Sequence, residues 1–385
     1  MASYMGIVYN PSTDDYGVDM FKKATEPGEY YGPEYYLKTD GINLDMNEQD
    51  LNQEEVRNGL DEDRNGYYEP EGDVSLTAHT KTISELFYGV LGRYIFTQNG
   101  ENAQSDANKK MNVHEFWAGE NLDRPQFNAD IASADFLLAR IFGAMFDTME
   151  WNAGMDKTTI DMEFIYKTEA TKDIYLDSYR SNWNVFQGLP LVGYDYTMYI
   201  GKDSNQDGID DDDTDMIVSQ CFKEFTLKIE NNLTTGDDNR CLGKSRTYTI
   251  KPTSENMDIS VEAKTRFDRR NYSFIVGARH GGYAPVNKWD SPKTCTTFTK
   301  KLYIEARSCI DPDEYVVFIF PKCKVKVDGL DGGSNNIEST VTLTPINTEN
   351  VTLVAKNGSQ SISRRTAMYV KVVTEAGRVA EDLKN

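Results

Sequence analysis

Phe225-Thr226-Leu227-Lys228-Ile229 sets an apolar side chain at every second position, and Ile259-Ser260-Val261-Glu262-Ala263 repeats the pattern further along. Period two marks a strand with one buried and one wet face. Working outward from this pair, the same pattern gives strands at Tyr194 to Ile200, Asp215 to Ile229, Thr247 to Ile250, Met257 to Phe267 and Ser273 to Val276. It continues at Lys301 to Ala306, Tyr315 to Val327, Thr340 to Thr344, Val351 to Ala355 and Ala367 to Val373. Many short strands at such spacing favour a large antiparallel β-sandwich or barrel over an α/β enzyme.

Upstream the alternation is weaker. Ile42, Leu44 and Met46 read as one strand and Val74, Leu76 and Ala78 as another, joined by a charged excursion over 46–73. Thr82-Ile83-Ser84-Glu85 has the form of a capping box, and Leu86, Phe87, Val90, Leu91 and Tyr94 follow at helical spacing. A short helix over 82–94 is therefore expected on the sheet. Residues 97–125 lack periodicity and read as loop. Asp130 to Asp147 is apolar on more than one side, which predicts a second, buried helix.

The expected organisation is an N-terminal arm (1–33), a first half of the β-sandwich (34–97), a loop-rich, partly helical insertion (98–195), and a second half with additional C-terminal strands (196–385). The Tyr30-Tyr31 and Tyr35-Tyr36 pairs suit an arm that docks on a neighbour, because aromatics give large contact area at low entropic cost.

Asp and Glu number 62 against 41 Lys and Arg, a net charge of -21. That balance argues against wrapping nucleic acid, since phosphate binding needs clustered cations. It suits both simple solubility and a surface past which a polyanion slides without sticking. The opening Met1-Ala2-Ser3-Tyr4-Met5-Gly6 has neither a basic start nor an apolar run, so no secretory signal is read, and no segment is long and apolar enough to predict a membrane span. The five cysteines are irregularly spaced with no CxxC, which gives buried free thiols as the expectation.

Three local clusters carry chemistry. Asp203-Ser204-Asn205-Gln206-Asp207-Gly208 places oxygen ligands at alternate positions and Gly at a sharp turn, the order of a calcium loop, with Asp211 available to complete the set. Thr214 stands where a bidentate Glu belongs, so a solvated acidic turn fits as well and calcium stays an open cofactor. Arg266, Arg269, Arg270 and Arg279 form a basic cluster suited to subunit contact or to local ion pairs. Glu54, Glu55, Arg57, Asp61, Asp63 and Arg64 lie in the charged excursion. Catalytic groupings are not read: the three histidines are far apart, no nucleophile elbow occurs, and the glycines around Gly243-Lys244-Ser245 are wrongly spaced for a phosphate loop.

Glu34-Tyr35-Tyr36-Leu37, Ile42-Asn43-Leu44, the stretch through Arg57-Asn58-Gly59 and Arg64-Asn65-Gly66, Gly72-Asp73-Val74-Ser75-Leu76, the helix ending Leu91-Gly92, and Gln220 to Ile229 together resemble the siphophage major tail tube protein family. The resemblance covers about 30–97 and 215–270 and lies in pattern and order. It implies a non-enzymatic structural virion protein of the phage tail, assembled in the host cytoplasm as a homo-oligomer of stacked hexameric rings. It also implies an acidic lumen that passes DNA without sequence-specific binding, and contacts with tape measure, tail tip and tail terminator proteins. In that family a long loop between two early strands reaches the adjacent ring, which maps onto Met46 to Asp73 here, with Glu54, Glu55, Arg57, Asp61, Asp63 and Arg64 as the inter-ring contacts. Two readings of other classes stand beside it: a calcium-dependent β-rich binding or adhesion module, and a carbohydrate-active hydrolase on a β scaffold, for which no carboxylate pair can be named.

Overall fold

The computed structural model describes residues 3–10, 16–17, 35–50, 65–118, 124–133, 136–170, 184–185, 189–201, 216–218, 222–235, 239–241, 247–266, 299–308, 310–332, 337–346, 351–354, 361–364 and 366–375. The chain begins with β1 (Ser3–Asn10), β2 (Tyr35–Thr39), β3 (Gly41–Asp45), β4 (Glu48–Asp50), β5 (Asn65–Tyr68) and β6 (Glu71–Thr77). Next comes α1 (Ile83–Leu91), the single α-helix among the described residues. β7 (Tyr94–Asn102), β8 (Lys110–Trp117), β9 (Gln126–Ser133), β10 (Phe136–Ala153), β11 (Thr159–Ile165) and β12 (Thr168–Ala170) follow. The chain continues through β13 (Asn184–Val185), β14 (Tyr196–Gly201), β15 (Met216–Val218), β16 (Phe222–Glu230), β17 (Asp258–Arg266) and β18 (Thr299–Arg307). It closes with β19 (Tyr315–Gly332), β20 (Ile337–Pro345), β21 (Val351–Val354), β22 (Ser361–Arg364) and β23 (Tyr369–Thr374). The protein is mainly β, as its alternating stretches require.

Apart from two small ribbons, β4–β5 and β21–β22, the strands belong to one hydrogen-bonded system curled into a barrel-like sandwich. Two strands of 18 residues act as its joints. The first half of β10 pairs with β9 and β12, and its second half lies between β11 and β16. The first part of β19 lies between β18 and β23, and its remainder pairs with β20. Three sectors result. The first runs β3–β6–β11–β10–β16–β17–β20–β19, the second β7–β8–β23–β19–β18–β14–β15, and the third β2–β1–β9–β10–β12. All these ladders are antiparallel, whereas β13 joins β2 in parallel. β10 turns between sectors at Gly143, whose φ of 62° suits glycine and whose N–H is taken by Asn128 Oδ1 at 3.0 Å. A Cβ there would meet the Gly17 backbone at 2.9 Å.

The first two sectors face each other across an aromatic core. Trp151 and Phe225 meet Phe318 at centroid distances of 5.2 and 6.2 Å, and Phe87 of α1 wedges against Phe116, Trp151 and Phe318. Each such ring, fully buried, contributes roughly 1.5–3 kcal/mol through removal of apolar surface from water. The helix ends at Gly92, with φ 72°. Its last carbonyls are satisfied from elsewhere in the chain: Asn231 Nδ2 donates to Val90 O at 3.2 Å and Arg124 to Leu91 O at 3.2 Å.

Several expectations are corrected. The described residues of 130–147 are not a helix but belong to β9 and β10. β9 is buried at all eight positions, so apolar content on both sides reflects a doubly covered strand and not a helical surface. Its core side carries Phe127, Ala129 and Ile131. The other side carries Gln126, Asn128 and Asp130, the last held bidentately by Arg140 at 2.6 and 2.8 Å. The supposed loop over 97–125 contains much of β7 and all of β8, which pair as a hairpin whose polar residues break the apolar pattern. The stretch 98–195, read as loop-rich and partly helical, thus supplies central strands. Ser3–Asn10, assigned to the arm, is a strand between β2 and β9, because Met5 and Ile7 enter the core. The excursion over 46–73 is in part the β4–β5 ribbon. Thr247 to Ile250 is not a strand. The capping box at Thr82 does not form: its hydroxyl donates to His79 O at 3.1 Å, and Glu85 is buried against the core. Cys323 is buried as expected, but Cys241 is exposed.

Candidate functional site

The first sector separates its side chains by period two. Val74, Leu76, Ile160, Met162, Phe164, Met149, Trp151, Leu227, Ile229, Val261 and Ala263 point into the core. Their neighbours in sequence form an open polar face. Strand pairing sets Asn43, Asp73, Glu163, Thr148, Glu230 and Asp258 side by side across six strands. The next row reads Ser75, Asp161, Glu150, Lys228 and Ser260. Adjacent strands lie about 4.8 Å apart, so the first row is a ladder with four carboxylates among its six residues, and the second adds Asp161 and Glu150 beside Lys228. Asp73 and Glu163 stand directly opposite each other, an arrangement that costs stability in a sheet.

Local bonds hold the ladder in place. Ser75 Oγ donates to Asp161 Oδ1 at 2.5 Å, Asn43 Nδ2 to Asp73 Oδ1 at 3.3 Å, and Asn152 Nδ2 to Glu150 Oε1 at 2.9 Å. Lys228 pairs with Glu230 at 2.6 Å, and Lys264 with Glu224 at 2.5 Å. The hydrogen bond that Lys228 donates to Glu230, with Glu150 and Glu163 nearby, raises the Lys228 ammonium above the usual lysine range. Asp147 lies where the β10 register slips between Phe146 and Thr148. It accepts the Leu233 N–H at 2.8 Å, and its carboxyl is pushed up first by burial and further by Glu163 and Glu230. Beneath the face, Gly72 lets the Phe164 ring pass: a Cβ there would come within 2.5 Å of it.

The second sector presents a different outer surface. Tyr303, Val317, Ile319 and Tyr369 are buried there, with Trp117, Tyr199 and Tyr315 packed at the margin. Glu101 accepts the Tyr315 hydroxyl at 2.5 Å and pairs with Lys371. The Arg307 guanidinium lies 3.8 Å from the centre of the Tyr315 ring and bonds Glu305 at 2.7 Å. Burial, with these carboxylates nearby, pushes the Tyr303, Tyr315 and Tyr369 hydroxyls far above their ordinary range.

A cleft of about 420 Å³ opens between the β10–β11 turn and the ends of β14 and β16, lined by Met155, Tyr196, Met198, Phe222, Phe225 and Ile304 among others. Its one lining carboxylate, Glu224, is held by Lys264. The Tyr196 hydroxyl beside it is engaged with Trp151 Nε1 and Thr158 Oγ1. These groups form no acid–base pair.

Asp203, Asn205, Asp207 and Asp211 lie outside the described residues, as do Glu54, Glu55, Arg57, Asp61, Asp63 and Arg64, and Arg269, Arg270 and Arg279. Arg266 ends β17, where its backbone pairs with Glu338. Among the described residues, no group of three or more His, Cys, Asp or Glu side chains is placed to hold a metal ion. The carboxylate ladder was not among the sequence-read sites. Its signal is present in Thr159-Ile160-Asp161-Met162-Glu163-Phe164, an alternating strand hidden inside the supposed insertion.

No protein-family model matches the chain, and no curated protein matches it either. The protein is therefore placed by its fold and its surface: a mainly β, largely antiparallel scaffold that presents an acidic sheet face.

Proposed function

We propose that the chain is a structural virion protein, the tail tube subunit of a long-tailed bacteriophage, which self-assembles into stacked hexameric rings that conduct viral DNA during ejection. The observation that carries this reading is the carboxylate ladder through Asp73, Glu163, Glu230 and Asp258. The carboxylate-bearing strands of this face repel a polyanion, and the exposed lysines of the same sector, Lys322, Lys324 and Lys326, lie apart from the ladder on β19, so DNA in contact with the ladder stays mobile. Like charges set opposite each other weaken a sheet. Their retention fits a surface selected for what it repels. On this reading the sheet face lines the bore, the charged excursion over 46–73 joins rings, and tape measure, tip and terminator proteins bound the tube in the virion tail. The mechanism is assembly and passage, not catalysis.

Electron microscopy of concentrated protein, alone and with a tail tip complex, tests it. Tubes of uniform width with an open bore are expected. Compact monomers under both conditions overturn the proposal.

A further inference from the structure

His79 lies between β6 and α1, where its carbonyl accepts the N–H groups of Thr82 and Ile83. Its ring faces a strap formed by residues 189–195. The strap is stitched down by Leu191 N to Ala78 O at 3.0 Å, Thr158 N to Leu191 O at 2.8 Å, and Gly193 N to Asp156 O at 3.2 Å. The Asp195 carboxylate closes it by accepting the Val192 N–H at 2.9 Å. The imidazole hydrogen-bonds the Leu189 backbone, while its Nδ1 is buried without a partner. A neutral ring with Nε2 protonated satisfies this arrangement, since Nδ1 then needs no acceptor.

We propose that His79 is an acid-sensitive latch for the strap over 189–195: protonation places an N–H without an acceptor against the strap's inner side and releases it. The charged groups around the ring are Asp40 in the β2–β3 turn, Lys38 on β2 and Lys157 in the β10–β11 turn. Asp40 is already engaged by Thr77 at 2.6 Å and Lys157 at 3.0 Å, so it is not a free acceptor for the new proton. Burial lowers the His79 pKa, the Leu189 bond and Asp40 oppose that, and the two lysines reinforce it. The folded pKa lies below the open-state value, about 6.5 for an unperturbed histidine. The closed strap thus keeps its full stability above that pH and loses it as pH falls through the histidine range. Release frees Leu191 and Thr158, both fully buried, and loosens Gly193 and Tyr196, which border the cleft.

Hydrogen–deuterium exchange of the full chain at pH 7.5 and pH 5.0, corrected for intrinsic rates, reads the latch. The Leu191 and Thr158 amides should lose several-fold more protection than the sheet amides of Ile160 and Val261. His79→Gln keeps a donor for Leu189 and removes the titration, so it should abolish the difference. A wild-type strap whose protection follows the control amides, or a loss equally large in His79→Gln, overturns the proposal. Should that variant fail to fold, an NMR titration of the wild-type imidazole decides. Strap opening must share the His79 midpoint, and a separate midpoint overturns the latch.

Discussion

The two outer faces of the sandwich handle charge in opposite ways. On the first sector, carboxylates stand on a wetted sheet, Lys228 and Lys264 beside them are held in pairs with Glu230 and Glu224, and exposed Lys322, Lys324 and Lys326 stand on β19 at its far end. On the second, each carboxylate is matched: Glu101 with Lys371 and Tyr315, Glu305 with Arg307 and Tyr303, Glu115 with Tyr369. Charges on the matched face are partly desolvated and hold structure together. Those on the open face stay hydrated and act at a distance. The same residue type thus serves cohesion on one side and repulsion on the other.

The largest effect should come from inverting the open face. Asp73→Lys, Glu163→Lys, Glu230→Lys and Asp258→Lys combined would turn one ladder cationic. The wild-type chain should show no DNA binding by fluorescence anisotropy at any salt concentration. The variant should bind, with a slope of log affinity against log salt of about -3.6, from about -0.9 for each phosphate neutralised. Equal behaviour of the two proteins would remove the electrostatic basis of the conduit reading.

A smaller, opposite response is expected on the matched face. Glu101→Gln leaves the Lys371 ammonium, whose side chain is 10% exposed, without its carboxylate. Breaking a fully buried pair costs roughly 3–5 kcal/mol; with a quarter of Glu101 still wet, about 2 kcal/mol is expected in chemical denaturation. On the open face, Asp73→Asn should instead stabilise the sheet by about 0.5 kcal/mol or less, since it removes a carboxylate directly opposite Glu163. That gain should shrink as added salt screens the pair. A loss of stability in Asp73→Asn would mean that the ladder is cohesive after all.

These contrasts also show what sequence could reveal. Alternation exposed the strands of the second half because each has one dry and one wet face, as in Phe225 to Ile229. It failed for β9, where both sides are covered and a dry strand looks like a buried helix, and for the first half of β10, whose apolar residues continue that run. The error concealed the functional candidate, since Glu150 and Glu163 belong to ladders that only pairing with β10 and β11 assembles. Net charge announced an acidic protein but not which face would bear unmatched carboxylates. The acidic motifs Asp203 to Asp211 and Glu54 to Arg64 drew attention by local density. The ladder brings together residues as distant as Asp73 and Asp258, a separation that no local motif records.

The subtlest test concerns Asp147, at the boundary between core and open face. Burial raises its pKa in the folded state, and Glu163 and Glu230 add to the rise. The folded chain therefore binds this proton more tightly than the unfolded chain. Its contribution to stability is present below the unfolded value, near 3.9 for an ordinary aspartate, and is lost as pH rises through the folded value. Asp313, at the edge of the second sector, runs the other way. Hydrogen bonds from the Ser105 hydroxyl and backbone, with Lys109 nearby, hold it below the ordinary range, so its contribution is lost on acidification. Asp147→Asn keeps an oxygen for the Leu233 N–H and should be slightly more stable than wild type at pH 7, with the gap closing towards pH 4. Asp313→Asn should be less stable than wild type at pH 7, and its gap should close as pH falls below the ordinary aspartate range. Urea titrations of both variants across that range read the signs directly, and two gaps of the same sign at pH 7 would mean that the faces do not differ in how they treat a carboxylate.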